Sequence, residues 1–318
     1  MISTHNGNIP QRYRRQSSRA AQAGNVREVS EGVVRVQSDP GHAMRQTMAD
    51  PADAIPARRE RVLTLVPPAN DVPLRAERDR PFVIRLGKRL RGIFDRVIAA
   101  SSLVSNDAVL DVRDFAWTAH LRDQWQAIRD EALGVALQGQ AAPCLAAISP
   151  DHRAIARANM WRTFFLWGYG YPIEENIARC PATAAAVRQI PGLATAFFSI
   201  LAPGAHIPDH RGVTKGLITC HLALIVLRDG DVRMRVGGRV VRWAEGETLV
   251  FDDTYPHEVW NDTSGTQVVL LIQFRRPLRN PGKIIADVCL GAIRRSAFVQ
   301  DARDNIRMWN ETVKQTER

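Results

Sequence analysis

Cysteine is scarce in this chain of 318 residues, and long apolar runs are absent from it. No stretch of about 18 apolar residues predicts a transmembrane helix, and the N-terminus lacks the short apolar core of a secretory signal. The cysteines form no C-x-x-C pair and no regular framework, which favours free thiols in a reducing compartment. We therefore expect a cytoplasmic protein, with peripheral contact at the inner face of the membrane left open. The four cysteines are Cys144, Cys180, Cys220 and Cys289.

The chain also has too few acidic residues to balance its basic ones, which leaves a formal net charge of +10. Such a surplus predicts attraction to an anionic partner, such as a membrane surface or an acidic substrate, and we predict no specific nucleic-acid contact. Residues 88–98 mix basic and apolar residues at roughly helical spacing. This pattern is typical of a helix that lies on a membrane surface, and also of an ordinary amphipathic helix packed on a domain.

Regular periodicity is missing from residues 1–80, which hold scattered Arg, Gln, Ser, Ala and Pro. Such a segment cannot bury enough apolar surface to offset the entropy lost on ordering. We therefore predict a disordered basic tail over 1–80. The remainder, 81–318, is predicted to be one folded domain with helices at both ends.

Further along the chain, the apolar pattern changes from helical to strand-like. Apolar residues recur at three- to four-residue steps in a helix predicted near 113–138, and further helices are predicted near 151–158, 181–189 and 283–312. Many short strands then follow in one continuous block, which indicates an α+β protein with a mainly β core, arranged as a barrel or jelly roll. The predicted strands lie near 195–202, 219–227, 231–236, 239–243, 248–251, 257–261 and 267–274.

Histidines among these strands predict a metal site. A non-haem Fe(II) oxygenase needs only two or three protein ligands on one face of the metal, because the opposite positions stay open for co-substrate and O2. His210 and His257 have the separation expected for two such ligands. The carboxylate that usually follows the first histidine by two residues is missing, since position 212 is Gly. The relevant segments are H-I-P-D-H-R-G at 206–212, C-H-L-A-L-I-V at 220–226 and F-D-D-T-Y-P-H-E-V-W at 251–260.

Spaced blocks of sequence carry a family resemblance. They include W-R-T-F-F-L-W-G-Y-G-Y at 161–171, A-R-C-P at 178–181, I-P-G-L at 190–193, F-S-I-L-A-P-G at 198–204, H-I-P-D-H-R-G at 206–212, W-A-E-G at 243–246 and F-D-D-T-Y-P-H-E-V-W-N-D at 251–262. On these blocks the chain resembles the aspartyl/asparaginyl β-hydroxylases, whose bacterial members include lipid A hydroxylases. The resemblance implies a double-stranded β-helix, cupin-like and flanked by helices, that uses Fe(II), O2 and 2-oxoglutarate to hydroxylate an unactivated carbon.

The resemblance also assigns roles residue by residue. It implies that His210 and His257 are the metal ligands, and that Ser199 and His221 lie at positions that contact 2-oxoglutarate. The substrate that the resemblance implies is peptidyl aspartate or asparagine, an amino-acid-derived compound, or the acyl chain of a lipid. The oligomeric state is not predicted.

Two positions depart from the family pattern. Where the family has arginines that contact the 2-oxoglutarate carboxylates, this chain has Thr219 and Gln267. Neither side chain can form the bidentate, charge-assisted pair of a guanidinium with a carboxylate. Another cation compensates, or 2-oxoglutarate is bound weakly, replaced or not used. The nearby cations are Arg211, Lys215, Arg233, Arg235, Arg275 and Arg276.

The departures leave two other functions open. One is a catalytically silent barrel that binds a metal or ligand, and the other is a metal oxygenase that does not use 2-oxoglutarate. Asp252 and Asp253 precede the second ligand, and we expect them to hold a turn and to act beside the metal rather than on it. Asp209 is expected to point away from His210, because successive side chains alternate along an extended segment. His206 is expected on the surface.

Overall fold

Helices surround a block of strands in this computed structural model, which describes residues 82–137, 142–149, 152–156 and 160–316. The predicted disordered tail over 1–80 lies outside the described residues. Within the described ranges, no helix combines the length and the apolar content that crossing a membrane requires.

Helices precede and follow the strands in sequence, and two more lie between the second and third strands. α6 begins with a proline at its first position, where the missing N–H costs no hydrogen bond. Glu131 caps the same helix end, since it accepts from the N–H groups of Ala182 and Thr183 at 2.7 and 2.8 Å. The helices are α1 (Phe82–Ala100), α2 (Trp117–Asp123), α3 (Trp125–Leu137), α4 (Leu145–Ile148), α5 (Glu174–Arg179), α6 (Pro181–Arg188), α7 (Gly282–Arg295) and α8 (Ala297–Thr316).

The strands form two antiparallel sheets. The major sheet has six strands in the order β2-β1-β3-β10-β5-β8, and the minor sheet has four in the order β4-β9-β6-β7. The strands are β1 (Trp161–Gly168), β2 (Tyr171–Pro172), β3 (Leu193–Leu201), β4 (His206–His210), β5 (Leu217–Ile225), β6 (Asp231–Val236), β7 (Arg239–Arg242), β8 (Thr248–Phe251), β9 (His257–Asp262) and β10 (Gln267–Arg275). These sheets and flanking helices confirm the predicted α+β jelly-roll fold.

The major sheet is buried on both faces, which explains its nearly continuous apolar strands. On one face, alternate residues such as Phe198, Leu222 and Leu270 pack in a core with α2, α3 and α6. On the other face, the intervening positions include Ser199, His221 and other residues that line a cavity. The alternation of side chains along a strand therefore separates the structural core from the cavity.

Several sequence-based boundaries were wrong. The helix predicted over 113–138 is two helices, because the chain leaves helical geometry at Gln124 (φ −97°, ψ 3°). The helix predicted over 283–312 is interrupted by extended backbone at Ser296 (φ −70°, ψ 158°). Of the helix predicted over 151–158, the described residues 152–156 have 3-10 geometry at His152 and then turns and a bend. Strands β1, β2 and β4 lie outside the predicted strand ranges.

The basic, apolar segment 88–98 lies within α1, which packs against α7. Arg91 of this helix donates to the Gly212 carbonyl at 2.6 Å, and Asp95 accepts from the Lys215 N–H at 3.0 Å. The packed amphipathic helix is therefore what the structure contains. Its contacts hold the segment that follows β4, at the edge of the candidate site.

Candidate functional site

His210 and His257 lie side by side on the minor sheet. β4 ends at His210, β9 begins at His257, and the two residues pair directly across the antiparallel strands. Their ring centroids are 4.0 Å apart. Residues that pair in this way present their side chains on one face of the sheet, and both rings line the cavity.

Both imidazoles carry their proton on Nδ1. His210 Nδ1–H donates to the Pro208 carbonyl at 2.8 Å. His257 Nδ1–H donates in the same way to the Tyr255 carbonyl at 3.0 Å. Because a carbonyl oxygen only accepts, each Nε2 keeps a free lone pair, which is the form in which histidine binds a metal. Burial, with His257 nearby, lowers the pKa of His210 to about 4, and burial also lowers the pKa of His257.

Asp253 fills the space that a side chain at position 212 would need. A Cβ on Gly212 would collide with the Asp253 carboxylate, and the Gly212 N–H donates to the Asp253 carbonyl at 2.7 Å. Only glycine allows so close an approach of the two segments. Asp253 Oδ2 accepts from Thr219 and Gln273 at 3.0 and 2.9 Å. Its Oδ1 is buried without a partner among the described residues, and burial raises the pKa of Asp253 to about 6.

The donor set suits a divalent transition metal. Two neutral imidazoles are two of the three ligands in the two-histidine, one-carboxylate set of non-haem Fe(II) sites. In the described part of the chain, no three or more His, Cys, Asp or Glu side chains are grouped as a complete metal site. His210 and His257 are therefore the candidate ligands, and the unpartnered Oδ1 of Asp253 is a nearby acceptor.

Buried ion pairs hold the turn that carries Asp253. Asp252 Oδ2 accepts from Lys215 Nζ at 2.6 Å and from the Arg276 guanidinium at 2.5 Å. Its Oδ1 accepts from the Thr254 N–H at 3.0 Å. Asp252 is fully buried, so the loss of one partner would leave an uncompensated charge. This network fixes the backbone between β8 and His257.

His221 has the opposite proton placement. Its Nδ1 accepts from the Trp243 indole N–H at 3.3 Å, and indole nitrogen only donates. The proton of His221 is therefore on Nε2, which is buried without a partner among the described residues. Burial lowers the pKa of His221 to about 3, so the ring is neutral. The ring is a hydrogen-bond donor that faces the cavity.

The other three residues expected at the co-substrate also line the cavity. Ser199 accepts from the Trp161 indole N–H at 2.9 Å. Thr219 donates its hydroxyl to Asp253, so this position supports the carboxylate beside the histidine pair. Gln267 is buried, and its Nε2 is without a partner in the part of the chain that the structure describes. Two neutral N–H donors, from His221 and Gln267, are thus available at the inner end of the cavity.

The cavity has a volume of about 420 Å³, and its walls are formed by the two sheets, the β1–β2 hairpin and α8. Its inner end holds the residues just described. The rim is marked by exposed residues, including Arg211, Val213 and Arg307. Most of the wall between them is apolar, and it includes Leu145, Ile148, Phe165, Phe197, Ile207, Val259 and Ile306.

The six cations considered from the sequence are corrected by the structure, because only Arg211 lines the cavity. The other five form ion pairs elsewhere, which hold their charges away from the site. The pairs are Lys215 and Arg276 with Asp252, Arg233 with Asp231 and Asp262, Arg235 with Glu258, and Arg275 with Asp287. Arg303 and Arg307 of α8 line the cavity and were missed, because no sequence pattern placed that helix at the site.

His206 and Asp209 take the positions expected of them. His206 is exposed, bonds Glu258 through Nε2 at 2.7 Å and stacks on Trp260. Asp209 is exposed beside the half-buried His210. Neither residue lines the cavity.

Known proteins resemble this chain over the same region. The family model for aspartyl/asparaginyl β-hydroxylase matches residues 122–277. The ornithine lipid ester-linked acyl 2-hydroxylase of Rhizobium tropici is 40% identical over 209 residues, which cover 65% of this chain and 74% of the relative. The chain belongs to the aspartyl/asparaginyl β-hydroxylase family. Membership confirms the sequence resemblance and supports a hydroxylase, an oxygenase enzyme.

More distant members of the aspartyl/asparaginyl β-hydroxylase family share less of their length. The human aspartyl/asparaginyl β-hydroxylase is 28% identical over 166 residues, which cover 51% of this chain and 21% of the human protein. Among solved structures, a Pseudomonas putida prolyl-4-hydroxylase aligns with 57% of this chain and 98% of its own, at 18% identity and a TM-score of 0.32.

Proposed function

We propose that this protein is an Fe(II)- and 2-oxoglutarate-dependent dioxygenase that hydroxylates the acyl chain of a lipid. One observation carries the proposal: two imidazole lone pairs and two unpartnered N–H donors face a single cavity whose wall is mostly apolar. The lone pairs suit a metal, the N–H donors suit a carboxylate, and the wall suits a hydrocarbon chain.

His210 and His257 would hold the metal through Nε2. Their Nδ1 hydrogen bonds to backbone carbonyls fix both the tautomer and the ring orientation. Asp253, whose Oδ1 is buried without a partner among the described residues, would accept a hydrogen bond from a group bound beside the ion. When bound, Fe(II) and 2-oxoglutarate would supply the oxidising chemistry that activates O2 toward a C–H bond.

His221 and Gln267 would orient the co-substrate. Each has a buried N–H donor without a partner among the described residues, and a carboxylate oxygen is a strong acceptor for such donors. Trp243 holds the His221 tautomer, and Ser199 offers its hydroxyl nearby. Neutral donors would therefore replace the arginines that the family uses, and they would bind the 2-oxoglutarate dianion more weakly than arginines do.

The lipid substrate class rests on the cavity wall and on a relative. A cavity of about 420 Å³ falls within the range of small-molecule sites, roughly 300–1,000 Å³. Aromatic and aliphatic side chains from both sheets line the cavity that holds the histidine pair. The Rhizobium tropici relative is named for hydroxylation of an acyl chain. Peptidyl aspartate or asparagine and amino-acid-derived compounds are the alternative substrates.

The test is oxygen insertion by the purified full chain. The protein would be incubated in air with Fe(II), 2-oxoglutarate and detergent-dispersed ornithine lipid, and the lipid analysed by mass spectrometry alongside succinate. We expect one added oxygen on the acyl chain, matched by succinate, and neither product with His257→Ala. Oxygen insertion into an aspartyl peptide with none into lipid would contradict the substrate class.

A second candidate is a metal oxygenase that does not use 2-oxoglutarate, or a barrel that binds a metal without turnover. The charge of the cavity favours it, since the cations in its described lining, Arg211, Arg303 and Arg307, are exposed or half-buried, whereas His221 is buried. Lipid oxygenation without succinate would support the oxygenase form. A cytoplasmic location at the inner face of the membrane stays a prediction and suits a lipid substrate.

A further inference from the structure

Arginines gather on one side of the cavity rim, between the β1–β2 hairpin and α8. Arg303 and Arg307 are one helical turn apart on α8, and both line the cavity. Arg294, at the end of α7, lies with Arg303 against the ring of Tyr171. The two guanidinium carbons are 4.2 and 3.8 Å from the ring centroid. Both guanidiniums thus lie against one phenol ring, with their central carbons at most about 8 Å apart, and attraction to the ring offsets part of their mutual repulsion.

Among the residues that the structure describes, no acid neutralises Arg294 or Arg303. No carboxylate in the described ranges forms an ion pair with Arg294 or Arg303. Arginines elsewhere on the domain do pair with acids, as Arg275 does with Asp287 at 2.6 Å. Close like charges without counter-charges are unfavourable in the free protein. An anionic ligand would relieve that repulsion.

Hydrogen bonds keep the cluster in place. Arg303 donates to Gln300 Oε1 at 2.9 Å, and Gln300 Nε2 donates to the Arg294 carbonyl at 2.8 Å. The amide of Gln300 therefore links α8 to the end of α7. The surrounding donors, Arg294 first and Gln300 second, lower the pKa of Tyr171. Arg303 uses one guanidinium nitrogen for Gln300, and its other N–H groups can donate to a further acceptor.

An apolar stripe runs along α8 next to the cluster. Phe298, Ala302 and Ile306 line the cavity beside Arg303. A ligand that contacted both features would need an anionic group and a hydrocarbon part. That combination describes an amphiphile whose headgroup stays at the rim while its chain enters the cavity.

We propose that Tyr171, Arg294 and Arg303 form a binding site for the oxyanion, a carboxylate or a phosphate, in the headgroup of an acyl amphiphile. The proposal rests on the acyl substrate class given above. It separates two anions in space: the co-substrate would contact neutral donors at the inner end of the cavity, and the headgroup would contact the arginines at the rim. A guanidinium fork can bind either oxyanion in bidentate fashion.

The experiment measures binding to the metal-free full chain by isothermal titration calorimetry. Three probes share a ten-carbon chain: N-decanoylglycine carries a carboxylate, decyl phosphate carries a phosphate, and 1-decanoylglycerol is neutral. We expect Arg303→Gln to weaken at least one anionic probe about tenfold, the effect of losing one charge-assisted hydrogen bond, and to leave the neutral probe unchanged. The stronger anionic probe with the natural chain identifies the preferred headgroup.

Arg295→Gln is the matched control. It removes the same charge at the last residue of α7, where Arg295 is exposed and bonds only the Gly291 carbonyl among the described contacts. We expect anionic binding to be unchanged in this variant. Arg303→Lys, which keeps the charge and loses the fork, should give an intermediate affinity and covers the case in which Arg303→Gln does not fold.

Equal losses for neutral and anionic probes, equal losses in Arg303→Gln and Arg295→Gln, or no loss in any Arg303 variant would overturn the site. Because binding is measured without metal or turnover, the result is independent of the proposed reaction. Selective loss of anionic probes would support the site even if lipid hydroxylation were absent. If the protein hydroxylated lipid but the Arg303 variants bound every probe as the natural chain does, the rim site would be refuted and the proposed reaction would stand.

Discussion

The minor and major sheets place the same side chain in opposite chemical states. On the minor sheet, His210 and His257 donate through Nδ1 to backbone carbonyls and keep free Nε2 lone pairs. On the major sheet, His221 accepts at Nδ1 from Trp243 and keeps a free Nε2–H. The neighbour of Nδ1 therefore decides whether a histidine is a metal ligand or a hydrogen-bond donor. The minor sheet can hold a cation, and the major sheet can hold an anion.

Removal of one of the two histidines of the minor sheet should have the largest effect on iron binding and turnover. We expect His257→Ala to lose iron binding and turnover, because a single histidine leaves too few protein ligands for stable binding. Iron content by elemental analysis and succinate formation would measure this. His206→Ala is the matched control on the same sheet, since His206 bonds Glu258 and stacks on Trp260 outside the cavity. Iron retained by His257→Ala would contradict the division between the sheets.

The close contact between Gly212 and Asp253 predicts that adding a side chain at position 212 lowers folding stability. Gly212→Ala should lower the free energy of unfolding by about 1–3 kcal/mol, because its Cβ would collide with the Asp253 carboxylate. Urea denaturation would measure the change. In an Asp253→Ala background the same substitution should cost less, since the colliding group is gone. The same cost in both backgrounds would mean that Asp253 does not occupy this space.

The donor role of His221 can be tested apart from metal binding. His221→Phe should weaken 2-oxoglutarate binding about tenfold while iron binding is kept, because a neutral hydrogen bond contributes roughly 1 kcal/mol and an unpaired acceptor costs more. His221→Gln retains an N–H donor and should be affected less. Anaerobic titration of the iron-loaded variants would measure both. Loss of iron binding in His221→Phe would show instead that the major sheet contributes a ligand.

The buried His221 also predicts a small dependence of stability on pH. Its pKa is about 3 in the folded chain, against an ordinary value of 6.5. The unfolded chain therefore binds more protons in this interval, so stability is full above pH 6.5 and falls as the pH falls. From pH 6.5 to 5.5 the metal-free chain should lose about 1 kcal/mol more than His221→Phe. Parallel pH profiles from urea denaturation would contradict the buried, neutral state.

Sequence reasoning predicted the strands more closely than the helices. The predicted strands 231–236 and 248–251 match the structure, because two-residue alternation and turn residues mark both ends. The predicted helix 113–138 missed its break at Gln124, since the apolar period is the same on both sides. Strand β1 was missed although its sequence carried part of the family resemblance.

The candidate ligands were predictable, and their surroundings were not. His210 and His257 lie in matched blocks, and the fold brings them together. The role of Asp253 depends on a close approach to Gly212 across 41 positions of sequence, and the only local sign was the glycine itself. Arg294 and Arg303 reach the rim through the packing of two terminal helices, which no local pattern specifies. Their functional roles stay predictions.

The most direct test of the two-sheet account is an anaerobic titration of the pure protein with Fe(II) and then 2-oxoglutarate. An Fe(II)–2-oxoglutarate chelate gives a weak visible charge-transfer band. We predict that the natural chain develops this band, that His210→Ala and His257→Ala do not, and that His221→Phe needs about tenfold more 2-oxoglutarate. Iron binding without the band at saturating 2-oxoglutarate would contradict the account and favour an oxygenase that does not use this co-substrate.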